Sequence, residues 1–330
     1  MKKGFVFLSC MVVILCHGEI FSQAVYSEPL SHTYSIVARD PETGEMGVAV
    51  QSHWFSVGSI VSWAEAGVGA IATQSFVNAS FGPRGLEMLK GGKTAKQVLK
   101  ILIDGDEGRD VRQLAIIDAQ GNVAAHTGKR CIDKAGHVVG KNFSVQANMM
   151  LKSTVWKAMA KTFKTSQGPL AERLIAALEA AQAEGGDIRG KQSAALIIVK
   201  GESTGKVWED RTIDLRVEDH PEAAKEIKRL LKVFRAYEFM NAGDLAIEKN
   251  DVDGALKAYG SAEAMFPDNL EMKYWHAISL ANIGRVDEAL PMFRGIFRKD
   301  DNWRLLTQRL PKVELLNVNK KDLKRILSLK

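Results

Sequence analysis

The sequence predicts an α+β protein, in which a layered domain of antiparallel sheets with outer helices precedes an all-helical region. Residues 33–217 contain short segments of strand-type alternation that are broken by turn residues. Between these strands lie segments with the apolar spacing of amphipathic helices. After Pro221 the strand pattern stops, and small and aromatic residues recur about every 34 residues.

The first strands form a predicted hairpin. Tyr34, Ile36 and Ala38 occupy alternate positions, the period of two that is typical of a strand. The turn sequence DPETGE follows, and residues 46–50 alternate again. The other predicted strands are residues 67–75, 114–118, 123–126, 194–200 and 212–217. Hairpins imply antiparallel pairs, so the pattern does not favour a doubly wound parallel sheet.

Four helices are predicted between these strands. Two short ones, around Leu86 and around Leu99, are separated by Gly91-Gly92. Residues 153–165 and 170–184 are predicted as longer helices, and a glycine pair ends the last of them. Layered packing of these helices outside the sheets follows from the element order.

The N-terminal residues are typical of a secretory signal peptide. Lys2 and Lys3 precede an apolar run at residues 5–16, and small residues at 22 and 24 fit a cleavage site after Ala24. The run is shorter than the roughly 20 residues that a membrane span needs. We therefore expect a secreted or periplasmic protein whose mature chain has no transmembrane span.

Four parts of the chain are predicted from these features. They are a signal peptide at residues 1–24, a short linker at 25–32, an α/β domain at 33–220 and a helical domain at 221–330. After cleavage Cys131 is the remaining cysteine, so no internal disulfide is expected.

Residue spacing predicts no metal or organic cofactor. The seven histidines are scattered, and phosphate-binding loops, dinucleotide fingerprints and the G-x-S-x-G elbow are absent from the sequence. Residues 302–330 are basic, which suits either an anionic surface or a solvated helix end. Basic and aromatic residues do not alternate along this tail, so it does not indicate nucleic-acid binding.

Helical hairpins are predicted after residue 221. Gly243, Ala255 and Tyr259 have counterparts 34 residues later in Ala277, Ala289 and Phe293. Small residues let antiparallel helices approach, and the aromatic fills the space between them. This spacing resembles tetratricopeptide repeats, which implies a concave surface for an unknown protein partner. A structural brace or a dimerisation surface is the alternative role.

Polar clusters lie at the ends of several predicted strands. They are QSH (51–53), TQSFVNASFGPRG (73–85), SVQANMM (144–150) and GGDIRGKQSAAL (185–196). With TYSIVARDPETGEMGVAVQS and DLRVEDHPE, these blocks resemble the DUF1028 family over about residues 33–222. That family is uncharacterised and is assigned to the N-terminal-nucleophile (Ntn) hydrolase-like superfamily. The resemblance implies a four-layer αββα sandwich.

The resemblance places Thr33 where an Ntn hydrolase has its nucleophile. In that superfamily the α-amine of the first residue is the general base, a role that its ordinary pKa near 8 permits. Two facts oppose the role here. Signal cleavage leaves residues 25–32 ahead of Thr33, and the first lysine after Thr33 is Lys90.

Two functions therefore stay open. The first is a ligand-binding or scaffold module for a small amide, a peptide or a cell-wall fragment; the second is an amidohydrolase or peptidase that uses Thr33 after a cut at His32–Thr33. Ser52 could alternatively be activated by the adjacent His53. The residues proposed to support a pocket are Ser52, His53, Gln74, Asn148, Asp187, Arg189 and Ser193.

Overall fold

The structure is a computed structural model that describes residues 30–330. The predicted signal peptide and most of the predicted linker lie outside these residues. Residues 30–32 of the linker are described, and residues 30–31 form a short strand.

The strands of the described chain all fall before residue 218. They are β1 (Leu30–Ser31), β2 (Thr33–Arg39), β3 (Met46–Ser52), β4 (Ser62–Glu65), β5 (Gly69–Phe76), β6 (Arg112–Asp118), β7 (Val123–Thr127), β8 (Gly136–Gly140), β9 (Phe143–Ala147), β10 (Ser193–Val199) and β11 (Arg211–Val217). Every predicted strand is confirmed. The β8–β9 hairpin was missed because β8 is short and bounded by glycines.

The helices occupy the gaps between strands and the C-terminal third. They are α1 (Phe81–Lys90), α2 (Ala95–Asp104), α3 (Val155–Thr165), α4 (Leu170–Ala183), α5 (Val207–Asp210), α6 (Ala223–Glu248), α7 (Val252–Met265), α8 (Leu270–Asn282), α9 (Val286–Lys299), α10 (Asn302–Arg309) and α11 (Lys320–Leu327). Within residues 30–330, no helix has the length and apolar character that crossing a bilayer requires.

Two antiparallel sheets form the first domain. One has the order β1-β5-β6-β7, with β4 also paired to β5, and the other has the order β11-β10-β3-β2-β9-β8. In the second sheet Thr33 lies opposite Ser52, and Ser52 lies opposite Ser193. This register puts three hydroxyl side chains in a row at one end of the sheet.

The core consists of three apolar layers. Side chains such as Val48 and Ile117 meet between the two sheets. Tyr34 and Ile36 face helices α3 and α4 on the outside of the second sheet, while Ile71 faces α1 and α2 on the outside of the first. Helices therefore cover both sheets, and the expected four-layer αββα arrangement is confirmed.

The C-terminal region consists of paired helices. Gly243 of α6 packs so closely on Tyr259 of α7 that a Cβ at this glycine would lie 2.6 Å from the ring. The predicted close approach of these helices is therefore present, whereas the tetratricopeptide assignment stays a prediction. Helix α6 also connects the regions, because Arg235 forms an ion pair with Glu172 of α4 at 2.8 Å.

Candidate active site at the start of strand β2

The space between the two sheets has an apolar half and a polar half. The polar half lies where β2 begins, and its side chains come from both sheets. Its buried members include Ser31, Thr33, Ser35, Ser52, Gln74, Gln113, Gln146 and Asn148. Buried amides and hydroxyls are costly unless they form hydrogen bonds, so their partners define the site.

Thr33 is fully buried at the first position of β2. Its Oγ1 donates a hydrogen bond to the backbone carbonyl of Ser31 at 2.9 Å and lies 3.1 Å from the Ser31 hydroxyl. The preceding residues cover it, because β1 pairs with β5 of the opposite sheet. The chain thus crosses between the sheets at His32, directly before the candidate nucleophile.

The carbonyl oxygen of His32 accepts two side-chain hydrogen bonds. The Ser52 hydroxyl donates to it at 2.6 Å, and Nη2 of Arg189 donates at 2.8 Å. This carbonyl belongs to the peptide bond that precedes Thr33. Two donors on one carbonyl oxygen, one of them cationic, form the arrangement that stabilises an oxyanion.

Arg189 is held in this position by Asp187. The guanidinium and the carboxylate form two hydrogen bonds, at 3.1 Å and 2.7 Å, and the Asp187 side chain is fully buried. Backbone amides of Arg189 and His53 also donate to the carboxylate. The Asp187 charge is therefore paired and bonded, as a buried carboxylate must be.

The His32 imidazole lies in a closed pocket and is 2% exposed. Its Nδ1 is 2.8 Å from Oδ1 of Asn148, and its ring meets the Phe76 ring edge-on at 5.8 Å. Nδ2 of Asn148 donates to Gln113 at 2.8 Å, which turns Oδ1 towards the imidazole. Burial lowers the pKa of His32, so the ring is neutral at neutral pH.

The carbonyl of Thr33 is fixed as well. Nε2 of Gln74 donates to it at 3.0 Å, and the backbone N–H of Asn148 donates at 3.1 Å. Oε1 of Gln74 accepts a hydrogen bond from Ser35 at 2.5 Å. The peptide units on both sides of Thr33 are thus held by the polar network.

Five of the predicted pocket residues lie together around the His32–Thr33 bond: Ser52, Gln74, Asn148, Asp187 and Arg189. Ser193 instead anchors the loop after β3, since its Oγ donates to the Trp54 carbonyl and accepts from the Val57 amide at 3.0 Å. His53 reaches the site through its backbone N–H, while its buried Nδ1 has no hydrogen-bond partner. Because the Ser52 hydroxyl bonds to His32, a Ser52–His53 pair is not formed.

Sequence reasoning missed three contributors to this site. They are the side chain of His32, the amide of Gln113 and the short strand at Ser31. Gln113 lies next to the apolar run of β6, and Gln146 alternates with the apolar residues of β9, so both are polar residues at positions that a sheet buries. The role of His32 had no such signal, because it depends on which sheet the preceding strand joins.

Other features of the described chain lie away from Thr33. A groove of about 950 Å³ has Trp63, Trp208 and Arg216 in its wall, and the Trp208 side chain is 79% exposed. Lys90, the first lysine after Thr33, forms an exposed ion pair with Glu65. Across residues 30–330, no group of three His, Cys, Asp or Glu side chains is placed to hold a metal ion.

Comparisons with known proteins identify the family of this chain. The family model described as a family of unknown function, DUF1028, matches residues 33–227. Protein SPO2555 from Silicibacter pomeroyi, whose crystal structure is assigned to DUF1028, is 31% identical with a TM-score of 0.56, covering 61% of this chain and 85% of that chain. Anbu (ancestral beta-subunit) from Yersinia bercovieri is 13% identical with a TM-score of 0.30, covering 60% and 92%. None of the curated proteins matches. Because the family model spans more than half of the chain, this protein belongs to the DUF1028 family.

Proposed function

We propose that this protein is an N-terminal-nucleophile amidohydrolase that activates itself by cutting the His32–Thr33 bond. One observation carries the proposal. The carbonyl oxygen of that bond accepts hydrogen bonds from Ser52 at 2.6 Å and from Arg189 at 2.8 Å. Negative charge develops on a carbonyl oxygen under attack, and two donors of which one is cationic stabilise it.

The cut proceeds through an ester. Oγ1 of Thr33 attacks the His32 carbonyl carbon, the carbon–nitrogen bond breaks, and the hydroxyl proton moves to the Thr33 nitrogen. Ser52 and Arg189 stabilise the negative charge on the oxygen during the attack. Water then adds to the ester carbon, Oγ1 leaves with a proton, and the products are a carboxylate at His32 and a free amine at Thr33.

Arg189 also supplies a positive charge beside the His32–Thr33 bond. The new α-amine of Thr33 would be buried and close to this guanidinium; burial and the positive charge lower the pKa of an amine, while the paired Asp187 carboxylate acts in the opposite direction. An α-amine starts near a pKa of about 8, so a lowered pKa leaves it unprotonated at neutral pH. It can then accept the proton of Oγ1 when an external amide is attacked.

Export fits the same scheme. A cut after Ala24 would leave residues 25–32 on the chain, with Thr33 still acylated and buried. We propose that the protein leaves the cytoplasm in this inactive form and that the second cut follows. Processing would then separate folding from activity.

The mass and N-terminal sequence of the purified full-length product test the proposal. We expect the wild-type chain to begin at Thr33 and the Thr33→Ala variant to keep His32. Thr73→Ala is the matched control, since Thr73 is another buried threonine, whose Oγ1 donates to the Asn78 carbonyl. A wild-type chain that stays joined at residues 32–33 after folding would refute self-activation.

Ligand binding without catalysis is the second candidate, and the exposed Trp208 in the groove beside Trp63 favours it. Two indole rings and Arg216 suit a cell-wall fragment or a peptide, while the exposed apolar Phe239 and Leu245 of α6 suit a protein partner. Soluble peptidoglycan fragments should then quench tryptophan fluorescence in the wild type and not in Trp208→Phe. Equal quenching in both proteins, or none, would exclude this role for the groove.

A further inference from the structure

The segment that precedes Thr33 lies in a site of its own. Residues Leu30–Ser31 form β1, which pairs antiparallel with β5 in the register Leu30 to Phe76 and Ser31 to Ser75. Thr33, by contrast, begins a strand of the other sheet. Breaking the His32–Thr33 bond therefore leaves the leading segment paired with β5 of the opposite sheet.

The contacts that hold the segment before Thr33 are the contacts that hold an acyl group during the reaction. In self-processing, the acyl group that is esterified to Thr33 is the chain that ends in His32. In hydrolysis of an external amide, the acyl part of the substrate becomes esterified to the same oxygen. Both reactions thus pass through an ester of Thr33, and the pocket around His32 is the place where a substrate's acyl side chain must lie.

This pocket has a defined chemistry. Asn148 presents an acceptor oxygen to the imidazole at 2.8 Å, and Gln113 fixes the direction of that oxygen. Phe76 provides an aromatic wall against which the ring stands edge-on. A flat ring with one N–H satisfies both features, whereas a phenyl ring leaves the buried Asn148 oxygen without a donor.

We propose that the mature protein cleaves amides whose acyl part is a peptide ending in histidine. The peptide is bound as a short strand on the edge of β5 that β1 occupies. This inference rests on the proposed function and adds the substrate class to it. A buried acceptor that loses its donor costs about 1–3 kcal/mol, which corresponds to about a 5- to 150-fold preference for histidyl over phenylalanyl substrates.

The test uses the self-processed protein, prepared from the full-length chain, and three fluorogenic amides. The amides are acetyl-Ser-His-, acetyl-Ser-Phe- and acetyl-Ser-Ala-aminomethylcoumarin. We expect the histidyl amide to have the highest kcat/KM, and the ratio of histidyl to phenylalanyl amide to fall towards one in Asn148→Ala. The ratio is measured within one preparation, so partial unfolding of the variant does not change it. The unprocessed Thr33→Ala protein should hydrolyse none of the three.

The outcomes separate the two proposals. Hydrolysis that requires Thr33 but shows no histidyl preference, or a preference that survives in Asn148→Ala, overturns the substrate class and leaves the amidohydrolase intact. If the chain is cut at residues 32–33 but none of the three amides is hydrolysed, the substrate class is overturned; if the chain also stays uncut, both proposals are overturned.

A second measurement reads the pocket in the uncut chain. His32→Phe keeps a ring against Phe76 but removes the N–H, so self-processing should slow by about 5-fold or more. His276→Phe, a change in the helical region where the ring bonds to Glu263, is the matched control and should process at the wild-type rate. Equal rates for His32→Phe and wild type would show that the pocket does not select its occupant.

Discussion

Replacing Ser52 with alanine tests the proposed oxyanion site most directly. The His32 carbonyl has two donors, at 2.6 Å and 2.8 Å, and the substitution removes the first. Loss of one oxyanion donor lowers a rate by about 10²- to 10³-fold, or about 3–4 kcal/mol of transition-state stabilisation. Arg189 remains, so processing should be slow rather than abolished.

Ser52→Ala should change the stability of the folded protein much less than it changes the rate of processing. In the ground state the His32 carbonyl keeps its bond to Arg189, and the loss of one hydrogen bond costs about 0.5–1.5 kcal/mol. Ser144→Ala is the matched control, because Ser144 is also fully buried in the same sheet and donates to Gln146 at 3.1 Å. It should have a similar effect on stability and none on processing.

The assay is a time course of intact mass after refolding, with thermal unfolding of the same samples. We expect uncut chain to persist in Ser52→Ala after the wild type and Ser144→Ala are fully cut. If the two serine variants are cut at equal rates, the His32 carbonyl is not an oxyanion site and the hydrogen bonds around it are structural.

Three further predictions concern stability. Gly243→Ala should destabilise the helical region by about 1–3 kcal/mol, because the new Cβ would overlap a tyrosine ring. Gly260→Ala places its Cβ where no atom lies within 4 Å and should stabilise the region by up to about 1 kcal/mol. Thermal melting of both variants checks the contrast. Burial lowers the pKa of His137 in the folded protein, so this histidine is protonated at a higher pH in the unfolded chain than in the folded chain. Stability is therefore lost as the pH falls below about 6.5. His137→Gln should reduce that loss in urea titrations at about pH 7 and about pH 5, and an unchanged difference would contradict it. Tyr274→Phe removes a buried hydrogen bond to Thr307 at 2.9 Å and should cost about 0.5–1.5 kcal/mol by the same titration, while no change would mean that water replaces the bond.

Much of the fold could be predicted because its signals are local. Alternation at residues 34–38, turn residues at 40–45 and glycines after helix α4 each depend on near neighbours in the chain. The hairpin β8–β9 lacks a strong local signal, because β8 is short and bounded by glycines and Ser144 and Gln146 make one whole face of β9 polar. That glutamine is buried because its partner Ser35 lies on another strand, at 2.6 Å.

The candidate site was predicted as a set of residues but not as an arrangement. Asp187 and Arg189 were selected from a polar run, yet nothing in that run indicates that Arg189 bonds to a carbonyl 157 positions earlier. Ser193 came from the same run and serves a loop instead. Which polar residue faces the nucleophile depends on strand register and on the path of each loop, and both are set by contacts distant in sequence.

The sequence by itself determined the layered α/β architecture, the helical C-terminal region and the place of Thr33 at the start of its strand. Periodicity and turn chemistry are sufficient for those conclusions, because they are properties of short segments. Only the tertiary structure decided that the chain crosses between the sheets at His32, where Ser52 and Arg189 meet its carbonyl. These contacts form only when the two sheets stack and bring three segments of the chain together. Burial of the apolar faces of the sheets drives that stacking, and no single segment encodes it.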